Sequence, residues 1–100
     1  MGKFSVTHKA KTDLKSIAAY MQRKWRIKQR AVYVKQFDDT FRNLANNPDA
    51  GQVCDFIEVG YRKFPCSSHV IFYRLVSNND IQIVRIIHKR MDVKSKLDGT

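Results

Sequence analysis

The chain reads as an α+β domain: an N-terminal strand, then an antiparallel two-helix hairpin packed on one face of a mainly antiparallel sheet that ends in a three-stranded meander. Three observations predict this. Two apolar stripes at helical spacing occupy the first half. Three short runs rich in β-branched and aromatic residues fill the second. Between them, "NNPDAGQ" carries the strongest turn chemistry of the chain, with Pro48 and Gly51 around Asp49.

Lys3-Phe4-Ser5-Val6-Thr7 alternates polar and apolar residues, which predicts a short strand, and Thr7 is placed to cap the helix that follows. Leu14, Ile17, Ala18, Met21 and Trp25 form the apolar stripe of that helix. After the basic break "RKWRIKQR", the second stripe is Val34, Phe37, Phe41, Leu44 and Ala45. It stops at Asn47-Pro48, because a residue before proline is pushed out of the helical region. The meander strands are read over Ile57 to Phe64, "HVIFYRLV" and "IQIVRIIH". The tail from 89 to 100, "KRMDVKSKLDGT", is polar and aperiodic and is expected to fray at the end of a single domain spanning 1–100.

Ser77-Asn78-Asn79-Asp80 predicts a tight turn between the last two strands, because asparagine tolerates positive φ. Centred there, the register sets Val76 opposite Ile81, Arg74 opposite Ile83, Phe72 opposite Arg85 and Val70 opposite Ile87 on one face. The other face carries Leu75 with Gln82, Tyr73 with Val84, Ile71 with Ile86, and His69 with His88. Two helices cover one face only, and the stripes supply no acid to bury beside an arginine. The Arg74 and Arg85 face is therefore expected to be open, an apolar area broken by cations that seeks a partner. The lesser alternative is that a homodimer or the folded-back tail covers it. The assignment rests on turn length, since a one-residue slip exchanges the faces.

With 43% hydrophobic residues the chain can bury a core, and its formal charge of +10 favours acidic partners, whether protein or nucleic acid. The N-terminus has no apolar run of signal-peptide type and no stretch is long enough to cross a bilayer, so a cytoplasmic protein without membrane contact is expected. Cys54 and Cys66 lack metal-ligand spacing and are expected as free thiols, two histidines are too few for zinc, and no glycine-rich phosphate loop is present. Neither metal nor cofactor is expected. "QRKWRIKQR" sets Trp25 among cations in the manner of a nucleic-acid contact, yet Trp25 also closes the first apolar stripe, which is the plainer reading.

"RIIHKRMD", residues 85–92, concentrates titratable groups at the end of the last strand. Metal-free RNA cleavage would need a base, an acid and cations around the phosphate, and His69, His88, Tyr73, Arg74 and Arg85 are the candidates. In the register above, the histidines and Tyr73 lie on the opposite face from both arginines, which argues against a catalytic constellation.

The ordered set "AKTDLKSIAAYMQRKW", "YVKQFDDTFRNLANNPDAG", "GYRKFPCSSHVIFYR" and "IQIVRIIHKRMD" resembles the RelE/ParE superfamily of bacterial toxins, and its ParE branch most. The resemblance covers nearly the whole chain. It implies a RelE/ParE-like fold and the toxin of a type II toxin-antitoxin system, of the kind that serves plasmid or genome maintenance. It implies a non-enzymatic inhibitor that binds DNA gyrase, through its A subunit, and stabilises the cleaved-DNA complex. DNA is then met only through gyrase, and a ParD-like antitoxin neutralises the toxin. The alternative is a RelE-like ribosome-dependent mRNA endoribonuclease, although such nucleases tend to carry a cation where this chain has Val70. The expected antitoxin surface is Val70, Phe72, Arg74, Ile83, Arg85 and Ile87. The resemblance also suggests a gyrase-contacting set of Arg85, His88, Lys89, Arg90, Met91 and Asp92.

Overall fold

The computed structural model describes residues 2–24, 27–54, 58–77 and 80–91. β1 (Phe4–Val6) leads into α1 (His8–Lys24) and α2 (Ile27–Asn46). A 3-10 turn at Pro48–Ala50 precedes β2 (Gln52–Val53), β3 (Tyr61–Cys66), β4 (His69–Leu75) and β5 (Ile81–His88). The strands form one sheet in the order β1-β5-β4-β3-β2, with β1 parallel to β5 and the other neighbours antiparallel. The α+β architecture is the expected one. β2 was not foreseen, and the first meander strand runs from Tyr61 to Cys66 rather than from Ile57 to Phe64; Ile57 itself lies outside the described residues.

Thr7 caps α1 as anticipated: its Oγ1 accepts from Ala10 N at 3.1 Å and donates to Val84 O at 2.9 Å. One hydroxyl thus starts the helix and ties it to β5, and a cap of this kind stabilises by about 1 kcal/mol. Ile17 of α1 and Phe37, Phe41, Leu44 and Ala45 of α2 pack on Ile71, Tyr73, Ile81, Ile83 and Ile86 of the sheet, with Phe4, Leu14, Met21 and Phe64 at the margin. Val34 is only half-buried, and Tyr33 packs against the core beside Phe37. Trp25 lies outside the described residues.

The β4–β5 register holds for half its length. His69 faces His88, Val70 faces Ile87, Ile71 faces Ile86 and Phe72 faces Arg85, as the sequence predicts. Beyond Phe72 the pairs become Tyr73 with Ile83, Arg74 with Gln82 and Leu75 with Ile81, leaving Val84 unopposed in a bulge. The cause is the connection. Val76 N donates to Asp80 O at 2.9 Å, so the loop takes one more residue from β4 than a two-residue turn would.

This slip corrects the expected faces. Ile81 and Ile83 turn toward the helices and are 0% exposed, so Ile83 belongs to the main core and not to an open face. Arg74 stays on the far face, exposed, with its Nε donating to Gln82 Oε1 at 3.0 Å. Nor is the centre of that face bare: Val70 and Phe72 are buried with Cys54, while Tyr61 and Ile87 pack at the edge. The chain covers this area itself with Cys54 and Tyr61, which are held together by a 2.8 Å bond from Cys54 N to Tyr61 O.

Arg85 requires a further correction, because α1 does supply an acid. β1 reaches only Ile81 to Ile83, so the outer edge of β5 beyond it is closed by α1. Asp13 Oδ2 accepts from Ile86 N at 2.9 Å and from Arg85 Nε at 2.8 Å, and Oδ1 accepts from Arg85 Nη2 at 3.3 Å. A carboxylate thereby satisfies a strand-edge N–H and a guanidinium together. The expected loose tail is also displaced at its start, since Lys89–Met91 form a 3-10 turn held by Lys89 N donating to Ser68 O at 2.9 Å. Residues 92–100 lie outside the description.

Candidate protein-docking groove

Where α1 and α2 meet the end of β4 and β5, an open groove of about 1040 Å³ remains. Ile17, Tyr20 and Met21 of α1 line one wall, and Val32, Tyr33 and Gln36 of α2 line another. His69, His88, Arg90 and Met91 close the sheet end, and Lys28 adds a second cation. Tyr20, Val32 and Met91 are exposed apolar side chains, and no acidic residue lines the groove among the described residues. An apolar concavity with a basic rim suits an acidic amphipathic segment.

The floor is built from the predicted pair His69 and His88, whose rings lie 5.3 Å apart at 71°. Tyr33 Oη and His69 Nδ1 are 2.7 Å apart, and Phe37 meets the His69 ring edge-on at 5.7 Å. Burial, and next the neighbouring His88, hold the His69 imidazole below its ordinary 6.5. Burial likewise pushes the Tyr33 hydroxyl and the Cys66 thiol up.

The sign of the His69 effect gives a stability prediction. The folded state binds this proton more weakly than the unfolded chain, so the stabilisation is complete above 6.5 and is lost as pH falls through the lower folded value. The denaturant midpoint is expected to drop between about pH 7.5 and about pH 5, and His69→Gln should flatten part of that drop. An identical pH profile in the variant would refute the assignment.

The structure does not gather the candidate nuclease groups. His69 and His88 share the groove, but the Tyr73 hydroxyl is engaged elsewhere, donating to Pro48 O and accepting from Gly51 N, each at 2.8 Å. Arg74 and Arg85 are occupied by Gln82 and Asp13. Among the described residues no group of three His, Cys, Asp or Glu could hold a metal ion, and Cys54 and Cys66 are separate buried thiols.

Of the expected antitoxin surface, Val70, Phe72 and Ile83 are buried within the protein, Arg74 is exposed, and Arg85 and Ile87 are half-buried. Of the suggested gyrase set, His88, Arg90 and Met91 line the groove, Lys89 is exposed beside it, Arg85 sits against α1, and Asp92 lies outside the described residues. The sequence reading missed Tyr20, Lys28, Val32, Tyr33 and Gln36 as site residues. The available signal was Tyr20 and Val32, large apolar residues set off the two core stripes.

Comparison with known proteins identifies the architecture. The family model described as the ParE toxin of the type II toxin-antitoxin system parDE matches residues 4–93. Toxin ParE1 of Caulobacter vibrioides is 31% identical over 97 residues, covering 97% of this chain and 99% of that protein. Toxin ParE1 of Mycobacterium tuberculosis is 38% identical over 74 residues, covering 74% and 76%. The fold is shared with a chain of the chromosomal ParDE system from P. aeruginosa, at a TM-score of 0.73 and 21% identity over 88% of this chain and 96% of that one. It is shared too with a chain of the RelBE2 toxin-antitoxin complex from Mycobacterium tuberculosis, at a TM-score of 0.60 and 19% identity over 88% and 98%. The two stripes on a five-stranded sheet, the groove at their open end and these matches together place the chain in the ParE toxin family of type II toxin-antitoxin systems.

Proposed function

We propose that this toxin inhibits DNA gyrase by protein-protein binding, through the A subunit, and stabilises the cleaved-DNA complex without catalysing a reaction of its own. A ParD-like antitoxin neutralises it by filling the groove. The observation that carries the second part is the groove itself, apolar within, rimmed by Lys28 and Arg90 and free of acids among its described lining residues. An acidic amphipathic helix matches it in shape and charge. Because His88, Arg90 and Met91 belong to both the groove and the suggested gyrase set, an antitoxin seated there would compete with the target. Arg74 and Ile87, with Arg85 at the α1 edge, extend the antitoxin surface onto the far face over the buried Val70 and Phe72, whereas Ile83, turned into the helix-side core, drops out of it.

A ribosome-dependent RNase is the competing reading, and the imidazole pair near Lys28 and Arg90 is the observation in its favour. Purified gyrase with supercoiled plasmid separates the two. Cleaved, protein-linked DNA supports gyrase inhibition, whereas unimpaired gyrase with shortened messenger RNA on ribosomes supports the nuclease.

The docking reading has its own test. Val32 is 61% exposed on the groove wall, so Val32→Lys should leave the fold intact. It should weaken antitoxin binding roughly thirtyfold or more, the effect of disrupting an interface hot spot. Unchanged affinity by calorimetric titration would place the antitoxin elsewhere.

A further inference from the structure

We propose that His69 and His88 form a receptor for one carboxylate carried on the otherwise apolar face of the antitoxin. The inference rests on the groove being the antitoxin site, as argued above.

The rings share the groove with Ile17, Met21, Val32 and Met91, and its lining is largely apolar. His88 Nδ1 accepts from Arg90 N at 3.1 Å, which leaves the proton of the neutral ring on Nε2. None of the described residues accepts from that Nε2. His69 Nδ1 is engaged with the Tyr33 hydroxyl, and among the described residues no hydrogen bond is made at its Nε2. Among the described residues the titratable and charged groups facing the pair are Tyr20 from α1, Lys28 and Tyr33 from α2, Cys66 at the end of β3, and Lys89 and Arg90 after β5. None is a carboxylate.

A wholly apolar partner face would strip water from both rings and give their nitrogens nothing in exchange. A carboxylate placed there accepts a charge-assisted bond from His88 Nε2–H and lies in the positive field of Lys28 and Arg90. It also reverses the pH response. In the free toxin, burial and the twin ring oppose protonation of His69; a bound carboxylate favours the charged imidazole, so the complex takes up a proton. Affinity then rises as pH falls through the raised bound-state pKa and levels off below the free one. An apolar partner gives the opposite slope, because it buries the neutral ring.

The test is the affinity of the full-length toxin for its cognate antitoxin between about pH 8 and about pH 5.5, with hydrogen exchange across the groove. Expected are groove protection in the complex only, binding about tenfold tighter at the acid end, and a buffer-dependent enthalpy that reports proton uptake. His69→Gln should abolish most of the slope, and His88→Gln, which removes the donor to the carboxylate, should weaken binding at the acid end about tenfold while unfolding normally. Should either variant fail to fold, the slope and proton uptake of the unaltered toxin still decide. A protected groove with flat or weakening affinity at lower pH overturns the carboxylate receptor and leaves the docking site standing. An unprotected groove in the complex overturns both, and so does protection already present in the free toxin, where the chain's own residues would be the occupant.

Discussion

Gly51→Ala is expected to destabilise the fold by about 3 kcal/mol, a large effect for the addition of one methyl group. Conformational freedom is not the reason, since Gly51 has φ −80° and ψ 157°, an extended geometry open to any residue. Space is. A Cβ at this position would collide with the Tyr73 hydroxyl, lie 2.7 Å from its Cε1 and 2.9 Å from the backbone oxygen of Lys63. Tyr73 is 1% exposed and has no room to retreat. Its hydroxyl donates to Pro48 O and accepts from Gly51 N, so it latches the 3-10 turn after α2 onto the middle of the sheet. Tyr73→Phe alone should cost about 1–3 kcal/mol by leaving that amide and carbonyl unsatisfied. In the double variant the closest clash is gone, so the two losses should sum to less than their separate values. Guanidinium unfolding of all four proteins measures this, and strict additivity would show that the hydroxyl and the glycine do not meet.

Asp13→Ala should rank next, lowering stability by about 2–3 kcal/mol and the melting temperature by roughly 10 °C. The carboxylate side chain is 16% exposed and the Arg85 side chain 38%, so the pair is not an open surface bridge of negligible worth. Removing the acid leaves the Ile86 N–H on an uncovered strand edge and the guanidinium without its partner. Asp13→Asn keeps an oxygen for Ile86 N and should lose about half as much. Since α1 also carries Ile17, Tyr20 and Met21 into the groove wall, a loosened α1 should weaken antitoxin binding as well. A melting curve unchanged by Asp13→Ala would mean that packing alone holds α1 on β5.

Much of the architecture follows from local rules. Ile17, Phe37, Phe41 and Leu44 repeat at helical spacing, and the same four residues are buried in the core. Pro48 ended α2 where its steric effect on Asn47 required, and Thr7 capped α1. The pairing of His69 to Phe72 with Arg85 to His88 follows from the assumed turn length and strand parity, which put both histidines together and away from the arginines. Parity failed beyond Phe72 because it assumes an unbroken ladder. One residue added by the loop and one returned by the bulge cancel over the hairpin, yet between them they turn Ile83 and Arg74 to different faces.

Apart from β2 and the short 3-10 turns, the order and types of the elements, the basic character and the family were determined by the sequence alone, because periodicity, turn chemistry and charge are carried by residues near one another in the chain. What the far face exposes, where Arg85 finds its acid and how the groove is shaped were decided only by the tertiary structure. Asp13 and Arg85 are 72 positions apart and Tyr33 and His69 are 36 apart, so no local pattern couples them. The centre of the expected antitoxin face is packed with Cys54 and Tyr61, a contact that the period of the meander strands does not announce. The groove that remains exists because α1, α2 and the two terminal histidines converge without filling the space between them. Packing of that kind depends on the relative placement of whole elements, which side-chain pattern along any one of them does not encode.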